Sequence, residues 1–417
     1  MSELTLTEDQ QNAYKQFSDF ILDPDKEVFV LEGYSGTGKS TLVEKLIDDL
    51  PKLLKTKQLI ENTSSLFPQW DVVLSATTNK AAENLSFITG HTVKTIHSVL
   101  GLRVVTDYKT GKSELFPKKD SDLVTNTILF IDEASYIDKK LLKLIRNRTR
   151  ECKIVFIGDP AQLLTVGCKK SPVFQGGFPT AKLEKVVRQA DGSPITDLAT
   201  MFRHTVNGAD FFSFDPDGQA IAYMERDAFE QSIIQEFTRK DWCYRDSKIL
   251  SWTNKHAINF NQAIRNLMTG DPKFGVGDYA ICNQYVYSKQ GDIKTDQRVL
   301  ITGMEPSIRL GQPGHVFTLD SSLKFFMPDC AVLWKQTIKE AQDNDELNKV
   351  AEMTNEWIDL RAEYACTINK AQGSTFDKVF IDLDDLKKCR DPNQLARMLY
   401  VGVSRARDHV VLTGDLV

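Results

Sequence analysis

Short apolar runs recur along the first half of the chain, each ending in a polar or glycine-rich cluster that opens a stretch with helical spacing. Val28-Phe29-Val30-Leu31 runs into Gly33, Gly36 and Gly38. Val72-Val73-Leu74 leads to Thr77-Thr78-Asn79-Lys80-Ala81-Ala82. Ile128-Leu129-Phe130-Ile131 meets Asp132-Glu133, and Ile154-Val155-Phe156-Ile157 meets Gly158-Asp159-Pro160-Ala161-Gln162-Leu163. Runs this short and this β-branched predict buried strands, and the helical stretches between them predict crossovers, so the pattern is α/β with a parallel sheet covered on both faces. Ahead of the first strand, Ala13, Tyr14, Phe17, Phe20 and Ile21 lie at helical intervals behind Thr7 and Gln10, a capping-box spacing.

The rhythm breaks at residues 102–118, where two extended runs flank Lys109-Thr110-Gly111-Lys112, predicting an inserted β-hairpin. Residues 189–194 read as a linker to a second lobe. Its strands are predicted at Lys248-Ile249-Leu250-Ser251-Trp252, Val379-Phe380-Ile381 and Val410-Val411-Leu412-Thr413, with Thr253-Asn254-Lys255 opening a helix. Between them, residues 276 to about 325 alternate short extended runs with Gly and Pro turns, as in a small β-barrel. Residues 331–363 read as helical, with Trp334, Ile338, Leu347, Val350, Trp357 and Leu360 as buried positions.

At 417 residues the chain exceeds one ordinary core. Its net charge of −5 argues against indiscriminate adhesion to nucleic acid, although a local basic channel is compatible with it. Seven scattered cysteines without a C-x-x-C pair indicate neither a zinc site nor a disulfide framework, and suggest a reducing cytoplasm. No apolar run is long enough for a membrane span, the N-terminus has no signal-peptide pattern, and no internal repeat stands out.

The candidate chemistry sits at the strand ends. Gly33 to Ser40 fits G-x-x-x-x-G-K-[ST]. Backbone N–H groups of Gly36, Thr37 and Gly38 would cradle phosphates, Lys39 would reach the β- and γ-phosphates, and the Ser40 hydroxyl, followed by Thr41, would meet Mg²⁺. Asp132 at its strand end suits a water-bridged Mg²⁺, and Glu133 suits the base for an attacking water. Gln162 is either a sensor of the γ-phosphate or a turn cap. Gln10 is either a capping-box partner or an amide for an adenine edge, and Thr78 or Asn79 is either a ligand group or an N-cap.

Taken in order, these motifs resemble those of superfamily 1 DNA helicases, in the 5′-to-3′ group that contains RecD and Dda. Leu6-Thr7-Glu8-Asp9-Gln10 is similar to the Q motif, Gly33 to Ser40 to motif I, Ala76 to Ala82 to motif Ia, and Thr95-Ile96-His97 to motif Ib. Asp132-Glu133 resembles motif II, Gly158 to Leu163 motif III, and Leu183 to Gln189 motif IV. Thr367 to Thr375 resembles motif V, and Leu399 to Arg407 motif VI. Thr77 and Asn369 depart from the family pattern.

The resemblance implies two RecA-like domains with ATP and Mg²⁺ between them: residues 1–101 and 119–190, then 191–275 and 361–417. It also implies a strand-separating pin at 102–118 and an SH3-like accessory insert with a helical extension at 276–360. Lys39, Glu133, Gln162, Arg188 and Arg405 would serve hydrolysis. Gln10 would contact adenine, Gly373 would face the nucleotide, and Ser40 and Asp132 would hold the metal. Thr78, Asn79, Thr95, His97, Thr253, Asn254 and Thr367 would line a groove for single-stranded DNA, gripping phosphates without reading bases. Phe116, just past the hairpin turn, would be the wedge, or else an anchor of the hairpin. The implied activity is ATP-driven 5′-to-3′ unwinding of duplex DNA by a monomer in a bacterial or phage-infected host cytoplasm. Forked duplex is an implied substrate, and single-strand-binding, replication or recombination proteins are candidate partners. The competing readings are a single-strand translocase that strips proteins or remodels RNA, and a P-loop switch or recombinase-type protein.

Overall fold

The computed structural model describes residues 6–60, 70–165, 168, 170–187, 193–271 and 273–416. They divide into two compact units, Met1–Leu102 with Pro117–Glu225 and Ile368–Val417, and Arg103–Phe116 with Arg226–Thr367.

The first unit is built on a six-stranded sheet, in the order Thr180–Leu183, Val28–Gly33, Lys153–Gly158, Thr127–Asp132, Asp71–Ala76, Val93–Thr95. Every pairing in it is parallel. Such a sheet must be covered on both faces, which explains why its central strands read as continuous apolar runs. One cover is the helix Glu8–Leu22, whose Phe17 and Phe20 pack on Phe29, with Phe17 also meeting Phe130, at ring separations of 5.3–6.0 Å. The helix begins at the Thr7 and Gln10 capping box. Lys153, buried at the start of its strand, donates to the carbonyls of Phe20, Asp23 and Lys26 and so satisfies the opposite end of the helix.

The same unit holds a second set of parallel strands, Ile221–Tyr223, Ala406–Thr413 and Phe376–Asp382, and the helices Pro194–Val206 and Pro392–Ser404. Most of the linker read at 189–194 lies outside the described residues, and Ser193 and Pro194 open a helix instead.

In the second unit, Ser247–Ser251 pairs in parallel with Ala365–Thr367. A separate five-stranded sheet of this unit is antiparallel, in the order Lys324–Pro328, Gln312–Leu319, Arg298–Arg309, Tyr279–Cys282, Leu360–Arg361. Residues 331–363 are not one helical run. Ala331–Asp343 and Leu347–Asn355 are helices, broken where Asp345 adopts φ 54°, and Leu360 pairs with Cys282 in a strand. Trp334 and Trp357 are core residues, 5.9 Å apart between ring centres. Tyr108, at the hairpin tip, packs against this cluster, its hydroxyl accepting from Asn355 Nδ2 at 2.6 Å while Lys109 pairs with Asp345 at 2.8 Å. The hairpin strands are Leu102–Asp107 and Lys112–Pro117, and Gly111 at φ 67° closes the turn onto the Asp107 carbonyl. No described helix is long and apolar enough to cross a membrane.

Candidate active site

The turn after Val28–Gly33 is fixed by backbone geometry. Gly36 and Gly38 take φ of 81° and 77°, where a side chain is strained. A Cβ on Gly33 would lie 2.8 Å from Thr37 Oγ1 and 2.9 Å from Lys39 Cγ. Thr37 Oγ1 donates to the Tyr34 carbonyl at 2.9 Å, and Lys39 Nζ donates to the carbonyls of Gly33 and Tyr34 at 2.6 and 2.8 Å, so the loop is a closed ring around its own lysine. Lys39, Ser40 and Thr41 occupy the first turn of the helix Lys39–Ile60, where the backbone dipole favours an anion. Gln10 serves its helix cap and also donates from Nε2 to the Thr37 carbonyl at 3.1 Å, fastening the helix Glu8–Leu22 to the loop. These bonds leave one lone pair and one hydrogen of the amide over, which the expected contact with an adenine edge would use.

Asp132 ends its strand beside the loop and accepts from the Glu133 N–H at 2.8 Å. Burial, reinforced by the Glu133 charge, raises its carboxyl to about 7, against the Glu133 N–H and Lys39, which act the other way. Two adjacent carboxylates suit a hard divalent cation, and with the Ser40 hydroxyl, water and phosphate oxygens they would supply the all-oxygen donor set that Mg²⁺ takes. Glu133 itself takes φ 54°, ψ 45°, a left-handed conformation uncommon for a non-glycine residue and one that turns its side chain out of the strand direction.

The C-terminal segment of the unit reaches this centre. Gln372 Nε2 donates to Glu133 Oε2 at 3.0 Å and to Gln162 Oε1 at 2.8 Å. Gly373 follows at φ 79°, its Cβ position 3.8 Å from Glu133 Oε1. Arg405, buried as the C-cap of Pro392–Ser404, extends Nη2 to Ser35 Oγ at 3.2 Å and is held by the carbonyls of Val401 and Ser374. Burial lowers its pKa below the usual guanidinium value, partly offset by Glu133, and a group that ordinarily titrates so far above neutral pH stays charged. Arg188 lies outside the described residues.

Two further side chains of the helix Pro392–Ser404 tie the centre together, and the sequence reading gave neither a role. Tyr400 donates to Asp159 Oδ2 at 2.5 Å and accepts from the Ser35 N–H at 2.9 Å. Burial, followed by the Asp159 charge, pushes its phenol well above 10. Arg397 Nη1 donates to the carbonyls of Pro160 and Gln162 at 2.7 and 2.6 Å. The readable signal was helical spacing, since 397, 400 and 404 share a face.

The nucleic-acid candidates divide between the units. In the first, Thr78 caps Asn79–Thr89 by accepting from the Ala81 N–H, and Thr95 caps the short helix carrying His97 by accepting from the Ser98 N–H. Capping uses an oxygen lone pair and leaves the O–H hydrogen to donate to a phosphate, so the two roles are compatible. Burial lowers the His97 pKa from 6.5, against Asp138, so at pH 7 it offers a neutral ring N–H rather than a cation. In the second unit, Thr253 caps the helix that begins at Asn254. Thr367, only 8% exposed, is poorly placed for a phosphate contact. Phe116 is 46% exposed on its hairpin strand, which argues against the anchor reading.

Fold and site together define a P-loop nucleotide hydrolase. The chain belongs to the AAA domain family, whose model matches residues 5–215, and a UvrD-like helicase C-terminal domain model matches residues 363–413. It is 26% identical to the ATP-dependent DNA helicase dda of Enterobacteria phage T4, over 96% of this chain and 98% of that protein. It is also 26% identical to the ATP-dependent RecD2 DNA helicase of Deinococcus radiodurans, over 93% of this chain but only 47% of that longer protein. A Pif1 helicase structure from a study of unwinding at forked double-stranded DNA shares the fold, with TM-score 0.53 at 18% identity over 100% of this chain and 93% of that one. Within superfamily 1, the chain is of the RecD/Dda-like kind.

Proposed function

We propose that the protein is an ATP-dependent DNA helicase that moves 5′-to-3′ along single-stranded DNA and unwinds duplex DNA. The observation that carries this reading is the construction of one hydrolytic centre from two distant parts of the chain. Lys39, Asp132, Glu133 and Gln162 are met there by Gln372 and Arg405. A simple P-loop switch has no need of a second segment that delivers an arginine to the loop.

In this reading the loop N–H groups and Lys39 bind the β- and γ-phosphates of ATP, and Gln10 orients the base. Ser40 and Asp132 hold Mg²⁺, which neutralises phosphate charge when bound. Glu133 takes the proton of the attacking water, and Arg405, together with Arg188, stabilises charge spreading over the transferred oxygens. Thr78, Asn79, Thr95 and His97 in one unit, with Thr253 and Asn254 in the other, contact single-strand phosphates. The hairpin Leu102–Asp107 and Lys112–Pro117 is the strand-separating pin, and the antiparallel sheet of the second unit is the SH3-like accessory element. The protein acts as a monomer on forked DNA in the cytoplasm, alongside single-strand-binding or recombination proteins.

ATP hydrolysis measured with single-stranded DNA, with RNA and with no nucleic acid, beside unwinding of forked, 5′-tailed and 3′-tailed duplexes, tests the proposal. DNA-stimulated turnover with unwinding of forked and 5′-tailed substrates is expected. Stimulation without unwinding of any duplex selects the translocase reading, and unwinding only from 3′ tails overturns the polarity.

A further inference from the structure

Gln372 stands at the centre of the hydrolytic site without a role in the reading above. Its side chain is 5% exposed, and its Nε2 lies 3.0 Å from Glu133 Oε2, 2.8 Å from Gln162 Oε1 and 3.4 Å from Ser135 Oγ. A carboxylate oxygen needs a donor, so the nitrogen must face Glu133 and the amide cannot be flipped. The carbonyl oxygen, Oε1, is then buried with no hydrogen-bond partner among the described residues, as is the hydroxyl of Ser374 two residues on. An unpaired buried carbonyl costs about 1–3 kcal/mol. In a catalytic centre it marks a place where a group with an O–H to donate will sit.

We propose that Gln372 is a further residue of the hydrolytic centre. Its amide nitrogen positions Glu133 and Gln162, and its carbonyl oxygen receives one hydrogen of the attacking water. That water has two hydrogens to place. Glu133 takes one as a proton while the water oxygen bonds to the γ-phosphorus. The bond from that phosphorus to the bridging oxygen breaks with its electron pair leaving on ADP, and Gln372 holds the second hydrogen throughout. The same side chain therefore fixes both the base and the direction of the attacking lone pair, which is the positional requirement for an in-line displacement.

The inference rests on Glu133 being the base, so Glu133→Gln is measured beside Gln372→Ala and Gln372→Glu in the full-length protein. Gln372→Glu keeps the shape and an acceptor but sets a carboxylate against Glu133. Turnover with single-stranded DNA is expected to fall about 10²-fold in either Gln372 variant, by analogy with loss of one transition-state contact. Affinity for Mg·ADP should stay within about twofold, while affinity for Mg·ADP with aluminium fluoride, a mimic of the transferred phosphoryl group, should fall with turnover. Adding Gln372→Ala to Glu133→Gln should cost less than about threefold more, because the two side chains act through one water. Loss of ADP affinity in parallel with turnover, or full additivity in the double variant, would assign Gln372 a structural role and overturn the proposal. Should Gln372→Ala not fold, the isosteric Gln372→Glu decides by the same readouts. A slow Glu133→Gln with a fast Gln372→Ala defeats this inference alone, whereas a fast Glu133→Gln defeats the reading of the site on which it stands.

Discussion

At the scale of the residue, each charge in the site has one dominant task. Lys39 closes the phosphate loop by donating to the carbonyls of Gly33 and Tyr34, so it is already drawn into the ring that the phosphates enter. Lys39→Ala should therefore remove both the cation and the shape of the loop. Hydrolysis is expected to fall by at least about 10², and binding of a fluorescent ADP analogue should weaken with it. Arg405 differs because it lies beyond the loop and meets it through Ser35. Arg405→Ala should depress kcat by about 10³ or more while ATP affinity changes only a few-fold, since a charge placed for the transition state adds little in the ground state. A variant with weakened binding and unchanged maximal rate would contradict this. Arg405→Lys should recover little, because the guanidinium spans Ser35, Val401 and Ser374 with a fork that an ammonium lacks.

Among the elements, the ones legible in the sequence are those whose burial is written in short range. Thr127–Asp132 and Lys153–Gly158 are strands buried on both faces, so an unbroken apolar run announces them. The Thr7 and Gln10 cap was legible for the same reason, because its partners are three residues apart. Illegible were groups whose partners lie hundreds of residues away, such as Tyr400 with Asp159 and Ser35, or Gln372 with Glu133 and Gln162. A single helical pattern also concealed the break at Asp345. Asp9 belongs to this long-range class. Its carboxylate accepts from the N–H groups of Glu184 and Lys185 at 2.8 and 3.0 Å, joining the first helix to the turn after Thr180–Leu183. Burial acts to raise its pKa, but the Thr7 hydroxyl and the N–H groups of Lys185, Glu184 and Gln10 together hold it below 3.8. A carboxyl depressed in the folded state contributes stability that is present above its unfolded pKa and is lost as pH falls through the folded value. Asp9→Asn should thus melt lower than the parent at pH 7, while the gap between the two narrows as pH drops below about 4, which thermal melts across pH 3–7 would show. A constant gap would mean that the carboxylate charge is not what joins these elements.

For the whole molecule, a net charge of −5 and a set of hydroxyl and amide contacts predict a particular form of DNA binding. Phosphate contacts carry no base information, and neutral donors displace few counterions, so affinity for single strands should fall only modestly between about 50 and 200 mM salt. At fixed salt it should vary little among mixed sequences. Fluorescence anisotropy with labelled oligonucleotides measures both, and a strong preference for one sequence would indicate base contacts that none of the candidate side chains supplies.

Turning hydrolysis into strand separation requires something stiff at the fork, and the hairpin is built that way. Its tip is fastened to the helices Ala331–Asp343 and Leu347–Asn355 through Tyr108 on the tryptophan cluster, the Asn355 hydrogen bond and the Lys109–Asp345 pair. Phe116 takes no part in that fastening and leaves nearly half its surface exposed, 46%, an unusual position for a ring whose only work is packing. Separating one base-pair step costs about 1.4 kcal/mol in stacking. A ring that stacks on an exposed base returns about 1–3 kcal/mol, enough to offset one step. The described residues of the hydrolytic centre all belong to the first unit, so turnover is not expected to need Phe116. Phe116→Ala is therefore expected to keep DNA-stimulated ATP hydrolysis and single-strand translocation while losing most duplex unwinding, with an unchanged melting temperature. Were the ring instead holding the hairpin in place, the melting temperature and unwinding would fall together. Tyr108→Ala supplies the comparison, since loosening the tip should impair unwinding with a measurable loss of stability.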